Sequence, residues 1–226
     1  MGAVLLTGAT GFVGKEILDR FLDRDRRVFA LVRADDDDAA ARRLSPHARL
    51  TAVAGDIERP GLGLAPATAA TLAEEVSTVV HCAASVSFDL SLEESRRVNV
   101  DGTRNVLDLA QRCDRLERMS YISTAYVAGE PRRLFQEDEL DVGQRFRNPY
   151  ERSKFEAERM LREQADGLPL QILRPSIVVG DSRTGRTSSF NVLYGPLKAL
   201  ARGAIPAIPG RRASPVDVVP VDYVAD

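Results

Sequence analysis

Tyr150 and Lys154 stand four residues apart in the segment YERSK, a spacing that places both side chains on one face of a helix. A phenol has an ordinary pKa of about 10, so it exchanges protons poorly near neutral pH. A neighbouring ammonium favours the phenolate and lowers that pKa. The pair therefore predicts a tyrosine that exchanges a proton with a carbonyl or alkoxide oxygen.

Two adjacent hydroxyl residues, Ser123 and Thr124, close an apolar run that begins at Met119. A hydroxyl at this point can hydrogen-bond a substrate oxygen and stabilise the charge that develops on it. Successive side chains of a strand point to opposite faces, so only one of the two should serve.

A glycine-rich turn follows the first apolar run and opens a segment of helical period. Gly8 permits a tight turn, Gly11 lets the backbone approach a pyrophosphate, and Gly14 allows close packing of helix on strand. The helix start presents free N–H groups and a positive dipole end to phosphates. The predicted phosphate-binding residues are Gly8, Thr10, Gly11, Phe12, Val13 and Gly14.

The second apolar run ends at Arg33, where an NAD-selective site usually has an acid for the ribose 2′-hydroxyl. A guanidinium can instead pair with a 2′-phosphate in forked geometry. Arg33 therefore predicts NADP(H) as the cofactor. Arg43 is either a second contact of this kind or an exposed helix charge.

Apolar runs alternate with helix-period segments along the chain, which predicts an α/β fold. We expect a Rossmann-type, doubly wound parallel sheet with helices on both faces. Strands are expected at 3–6, 28–32, 49–54, 79–82, 119–123 and 170–173, and helices at 13–22, 92–111 and 150–164. The acidic run 35–38 is expected to be a solvated loop.

The texture of the chain changes at Asp181, where Gly, Pro, Ser and Arg become frequent. Residues 1–180 are therefore expected to form the cofactor-binding core with the Thr/Tyr/Lys set. Residues 181–226 are expected to form a partial substrate-binding region.

Composition narrows the function classes. The 226 residues carry 31 basic and 33 acidic side chains, a balance that does not favour nucleic acid or an anionic membrane as a partner.

Cys82 and Cys113 lack CxxC spacing, which favours a reducing compartment without a disulfide framework. No run approaches the ~20 apolar residues of a membrane span, so we expect a cytoplasmic protein. His81 is interpreted as a packed histidine, and no metal is expected. The oligomeric state stays open.

The TGxxGxxG turn together with YxxxK resembles the extended branch of the short-chain dehydrogenase/reductase superfamily. The resemblance implies that Thr124, rather than Ser123, is the catalytic hydroxyl. It implies that Lys154 holds the nicotinamide ribose. It also implies that Asp56, followed by Ile57, accepts from the adenine amine.

The same resemblance assigns three further segments. Asn99 would either hold a water in a proton relay or simply bond the backbone. Small residues after the fourth strand would line the cofactor, and a segment after the sixth strand would face the nicotinamide. These residues are Ala83, Ala84, Pro175, Ser176 and Ile177.

Several segments resemble the fatty acyl-CoA reductase and carrier-protein thioester reductase branch, namely LVRA, GD followed by PGLGL, HCAASVSF and STAYV. That branch implies reduction by NADPH of an acyl thioester, bound to coenzyme A or to a carrier. A hemithioacetal would collapse to an aldehyde, which is sometimes reduced again to an alcohol. The alternatives are a sugar-nucleotide epimerase or dehydratase, a hydroxysteroid-type dehydrogenase, and a non-enzymatic NADP-binding regulator.

Overall fold

The computed structural model describes residues 2–130, 133–189, 193–207 and 216–226. Its centre is a six-stranded, all-parallel sheet with the order β3-β2-β1-β4-β5-β6. The strands are β1 Ala3–Thr7, β2 Val28–Val32, β3 Leu50–Ala54, β4 Val76–His81, β5 Arg118–Ile122 and β6 Leu170–Leu173. The order reverses between β1 and β4, and in open α/β sheets ligands bind beyond the carboxyl ends of the strands at such a point.

The three central strands are buried along their whole length, which explains their nearly continuous apolar sequences. Alternate residues of β1 enter two different cores. Leu5 packs with residues of the helices on one face, and Val4 and Leu6 pack with α1 on the other. Helices therefore cover both faces of the sheet, as the alternating pattern predicted.

The helices are α1 Phe12–Asp23, α2 Asp37–Ala41, α3 Pro66–Glu75, α4 Leu92–Arg96, α5 Gly102–Ala110, α6 Pro149–Gln164, α7 Tyr194–Ala201 and α8 Val221–Ala225. Short 3-10 helices lie at Pro60–Gly63 and Ala125–Ala128. The helix that matters most, α6, begins because the Asn148 side chain accepts a hydrogen bond of 2.9 Å from the Glu151 N–H. Pro149 occupies its first turn, where a missing N–H costs nothing.

Two predicted elements differ from what the structure has. The predicted helix 92–111 is interrupted by a π-helical turn, Arg97–Asp101, which separates α4 from α5. The acidic run is exposed as predicted, but it is not wholly a loop. Asp36 caps α2 by accepting from the Ala39 N–H at 2.7 Å, and an acid at this position also suits the helix dipole.

A small second sheet joins the two sides of the predicted boundary at residue 180. Its strands, β7 Ile177–Val179 and β8 Val218–Pro220, pair in parallel. The following helix, α8, lies against α1, where Arg20 Nε donates to Asp226 Oδ1 at 2.6 Å. Part of the predicted substrate region, 190–192 and 208–215, lies outside the described residues. Among the helices that the structure describes, we find none with the length and apolar character needed to cross a membrane.

The glycine turn gives a direct test of this packing. A Cβ on Gly14 would collide with the backbone carbonyl of Gly8, which has a φ of +77°. We expect Gly14→Ala to lower the free energy of unfolding by about 1–3 kcal/mol, although alanine is the better helix former. Urea denaturation measures this. Gly195→Ala is the control, because a Cβ at this exposed position in α7 meets no atom of the described residues within 4 Å. Equal stability of the two variants would contradict the packing role of Gly14.

Candidate active site

A single groove of about 1040 Å³ runs along the carboxyl ends of the strands. Its walls are the segments that directly follow β1 to β5, together with the one after β6. All predicted cofactor-contacting residues line it. These are Gly8, Thr10, Gly11, Phe12, Val13, Gly14, Arg33, Arg43, Asp56, Ile57, Ala83, Ala84, Tyr150, Lys154, Pro175, Ser176 and Ile177. Thr124 lines it as well.

The start of α1 has the chemistry of an anion site. Gly11 is the N-cap residue of α1 and has no side chain that could pair with the free N–H groups. The first turn of α1, which the structure describes in full, contains no acidic residue. A Cβ on Gly8, Gly11 or Gly14 would meet backbone atoms of the turn or of the chain after β4, so only glycines fit this tightly packed turn. A diphosphate fits this arrangement because it takes N–H donors and needs close backbone approach.

Arginines gather at the end of the groove next to β2. Arg43 Nη1 donates to the backbone oxygen of Arg33 at 2.6 Å, and both residues line the groove at this corner. Glu58, which the sequence analysis missed, also lines this corner. Its carboxylate lies 3.5 Å from Arg33 Nη1 and 2.7 Å from Arg97 Nε. Asp56 Oδ1 accepts from the Glu58 N–H at 3.0 Å, which ties the predicted adenine contact to this corner.

The predicted reactive side chains meet at the opposite end of the groove. Tyr150 and Lys154 lie on α6 and are 9% and 2% exposed. Thr124, 4% exposed, lies two residues after β5, and its side chain is close enough to that of Tyr150 to lower the Tyr150 pKa. Ser123 points the other way, as strand alternation predicted, and donates to Glu158 Oε2 at 2.9 Å. The geometry therefore brings Thr124, and not Ser123, to Tyr150.

The electrostatics of Tyr150 differ from the prediction. Burial raises its pKa to about 12, and the interaction with the Thr124 side chain acts in the opposite direction without cancelling that effect. The expected lowering of this pKa by Lys154 is therefore wrong for this structure, because desolvation of the phenolate dominates and the opposing contribution comes from Thr124. Tyr150 is a protonated phenol at neutral pH, which suits it to donate a proton.

Lys154 is held by a backbone oxygen and an aromatic ring. Its Nζ donates to the backbone oxygen of Ile122 at 2.8 Å and lies 4.2 Å from the centre of the Tyr121 ring. Burial lowers the pKa of Lys154 to about 7.

His81 is packed, as predicted, between Thr7 Oγ1 at 2.7 Å and Thr103 Oγ1 at 3.0 Å. Burial, with the charge of Lys154, lowers its pKa to about 3, so it is neutral.

Asn99 lies in the π-helical turn and is buried. Its Oδ1 accepts from the Ser85 N–H at 2.8 Å, and its Nδ2 donates to the Ser85 carbonyl at 3.0 Å and to Ser153 Oγ at 2.9 Å. Of the two roles considered for Asn99, these contacts fit the one that bonds the backbone. A catalytic role for Asn99 stays a prediction.

The sequence analysis also missed the segment 85–90 as a wall of the groove. The ring of Phe88 lies 5.7 Å from that of Tyr150, centre to centre. Residues 85–88, the second half of the HCAASVSF segment, had been used only for the resemblance. Its position directly after β4 was the signal that could have placed it in the site.

The strand order, the glycine turn and the Thr124–Tyr150–Lys154 cluster define a Rossmann-type domain of the extended short-chain dehydrogenase/reductase kind. Residues 6–226 match the family model described as male sterility protein, and the chain belongs to this NAD-binding family.

Known relatives and structures agree with that assignment. Fatty acyl-CoA reductase wat of Drosophila melanogaster is 28% identical over 97% of this chain and 52% of its own length. The carboxylic acid reductase of Segniliparus rugosus is 31% identical over 99% of this chain and 22% of its own. The crystal structure of the terminal R domain from the myxalamid PKS-NRPS pathway matches with a TM-score of 0.89 and 35% identity, over 100% of this chain and 60% of that one. The chain thus spans about half the length of the fatty acyl-CoA reductase.

The lowered pKa of Lys154 predicts how stability depends on pH. Between about 7 and 10.5 the unfolded chain holds a proton on Lys154 that the folded chain does not, so this residue makes folding more favourable as pH rises. Lys154→Met removes that dependence. The free energy of unfolding of the parent relative to this variant should therefore rise by up to about 1.4 kcal/mol per pH unit through this window.

Urea denaturation at several pH values from about 6 to about 9 measures this difference. Lys15→Met, which removes an exposed lysine of α1, is the control. A stability difference between the parent and Lys154→Met that stays constant with pH would contradict the desolvated state of Lys154.

Proposed function

We propose that this domain reduces acyl thioesters, bound to coenzyme A or to a carrier protein, with NADPH. The observation that carries the proposal is the buried cluster of Thr124, Tyr150 and Lys154 at one end of a groove whose other end has the phosphate-binding turn and Arg33. The product is an aldehyde, or an alcohol after a second reduction.

NADPH, when bound, supplies a hydride to the carbonyl carbon of the thioester. Tyr150 then has the role of proton donor to the carbonyl oxygen, since its raised pKa keeps it protonated until a strong base forms next to it. The Thr124 hydroxyl, next to Tyr150, stabilises the charge on the same oxygen. Lys154 holds the ribose hydroxyls. The C–S bond of the resulting hemithioacetal then breaks as its hydroxyl loses a proton and the sulfur gains one, so that aldehyde and thiol are released without a catalytic cysteine.

The thioester class rests on the kind of relatives this chain has. Their printed names are fatty acyl-CoA reductase, carboxylic acid reductase and the R domain of a PKS-NRPS pathway. The carboxyl-terminal part, 181–226, is assigned to part of the substrate side. Ser189 of this part lines the groove, which supports the assignment.

NADPH preference is assigned to Arg33, with Arg43 beside it. We expect Arg33→Ala to weaken NADPH binding roughly ten- to hundredfold and to leave NADH binding nearly unchanged, because only the 2′-phosphate loses a charge-assisted hydrogen bond. Fluorescence titration with both cofactors measures this. Arg42→Ala, an exposed arginine next to Arg43, is the control. Equal affinities of the parent for NADPH and NADH would contradict the assignment.

The reaction itself is tested by incubating the protein with NADPH and a panel of substrates. The panel holds acyl-CoAs of several chain lengths, an acylated carrier protein and a UDP-sugar, and a 3-hydroxysteroid is tested with NADP⁺. With a thioester we expect oxidation of NADPH and release of free thiol, in a ratio of one to one for an aldehyde product and two to one for an alcohol. Tyr150→Phe should lower kcat by roughly a hundredfold or more, because a positioned general acid contributes that much, and should keep cofactor affinity.

Tyr126→Phe is the matched control, since this half-buried tyrosine lines the same groove. Turnover of the UDP-sugar or the steroid in place of every thioester would refute the proposed substrate class. Near-normal activity of Tyr150→Phe would place the proton donor elsewhere.

A further inference from the structure

One face of α6 carries a third functional side chain. Tyr150, Lys154 and Glu158 follow one another at intervals of four residues, so they share the face that packs against the sheet. The first two reach the groove, whereas Glu158 is 0% exposed and lies behind it. Burying a carboxylate lowers the stability of the fold unless its oxygens have charged or hydrogen-bonding partners.

Glu158 is paired with groups from two segments that form the groove. Ser123 Oγ, at the end of β5, donates to Oε2 at 2.9 Å. Arg174, at the end of β6, donates through Nη2 to Oε1 at 2.6 Å, with further contacts of 3.2 Å from Nε. Arg162, one turn further along α6, donates to Oε1 at 3.0 Å.

Each of the first two partners is next to a residue of the candidate site. Ser123 precedes Thr124, whose side chain is close enough to Tyr150 to lower its pKa. Arg174 precedes the Pro175–Ser176–Ile177 segment that lines the groove. The Arg174 guanidinium also donates to the backbone oxygens of Glu137 at 3.0 Å and Glu139 at 2.7 Å, which fixes it in one orientation.

We propose that Glu158 is a positioning residue: through Ser123 it holds Thr124 against Tyr150, and through Arg174 it holds the 175–177 segment against the cofactor. The inference rests on the proposed function, because it concerns the geometry of that site. The pairing acts without touching substrate. Ser123 supplies a neutral hydrogen bond, and the Arg174 guanidinium supplies a charge-assisted one.

Single and double variants of one contact provide the test. In thioester reduction, Ser123→Ala and Glu158→Gln should each lower kcat roughly ten- to hundredfold with little change in the KM for thioester, because a small displacement of Thr124 misaligns the reacting groups. The double variant should be no worse than the poorer single variant, because both changes break the same link. Glu163→Gln, an exposed carboxylate of α6, is the control and should behave like the parent.

A second measurement does not need turnover. Titration compares the cofactor that the chain prefers with its adenine half, 2′,5′-ADP for NADPH or ADP for NADH. Glu158→Gln should weaken binding of the whole cofactor severalfold and leave binding of the adenine half unchanged, because it disturbs Arg174. Ser123→Ala leaves the Glu158–Arg174 ion pair in place and should keep parental binding of both. If Glu158→Gln fails to fold, Ser123→Ala decides the kcat measurement, and Arg174→Lys, which loses the forked contact, decides the titration.

The outcomes separate the two proposals. A parent protein that turns over no thioester refutes the proposed function, and the cofactor titration then still decides the role of Glu158. Single variants with parental kcat and parental cofactor binding overturn the positioning role. Losses that add in the double variant overturn it as well, since they would show two independent effects.

Discussion

The structure depends on taking the charged face of α6 out of water. That face carries a phenol, an ammonium and a carboxylate, all at least nine-tenths buried. Burial alone disfavours the ionised form of each of these groups. The chain offsets this cost by packing α6 against the ends of β5 and β6, where polar partners are available. Lys154 donates a hydrogen bond to the Ile122 carbonyl, and Glu158 accepts hydrogen bonds from Ser123 and Arg174.

This constraint connects fold and chemistry. The carboxyl ends of parallel strands supply both the backbone oxygen for Lys154 and the hydroxyl of Thr124, so α6 can be buried only where those strand ends lie. The same strand ends form the wall of the cofactor groove. Burial has opposite consequences for the two ionisable groups that face the groove, because it raises the pKa of Tyr150 and lowers that of Lys154. The Tyr150 phenol therefore stays protonated at neutral pH, whereas the pKa of Lys154 lies close to neutral pH.

The sequence predicted the sheet well because parallel strands buried on both faces leave an unmistakable apolar pattern. Leu170–Leu173 was predicted to the residue, and the glycine turn predicted to bind phosphate lines the groove. The π-helical turn at Arg97–Asp101 was missed, since its residues continue the apolar period of the flanking helices. The α2 start was missed because an acidic run looks like a loop, although Asp36 also makes a good helix cap.

The candidate site was predicted in its parts but not in its electrostatics. Motif spacing brings Thr124, Tyr150 and Lys154 together, yet it says nothing about how far each group is desolvated. The extent of burial decides the pKa of Tyr150, and it emerges only when β5, β6 and the segment after β4 are assembled. Glu58 and Glu158 were missed for a related reason, because a single acid on a helix or in a turn usually faces solvent. Apart from Arg162, the partners of Glu58 and Glu158 lie 16 or more residues away in the chain, so the spacing of residues in the sequence could not reveal these contacts.

A crystal structure with bound NADP⁺ would show where the cofactor lies relative to the buried face of α6. We expect the diphosphate at the start of α1, the 2′-phosphate beside Arg33, and the nicotinamide ring between the Tyr150 hydroxyl and the 175–177 segment. A nicotinamide ring that lies away from Tyr150 and Thr124, or a cofactor bound in the reverse direction, would contradict this expectation.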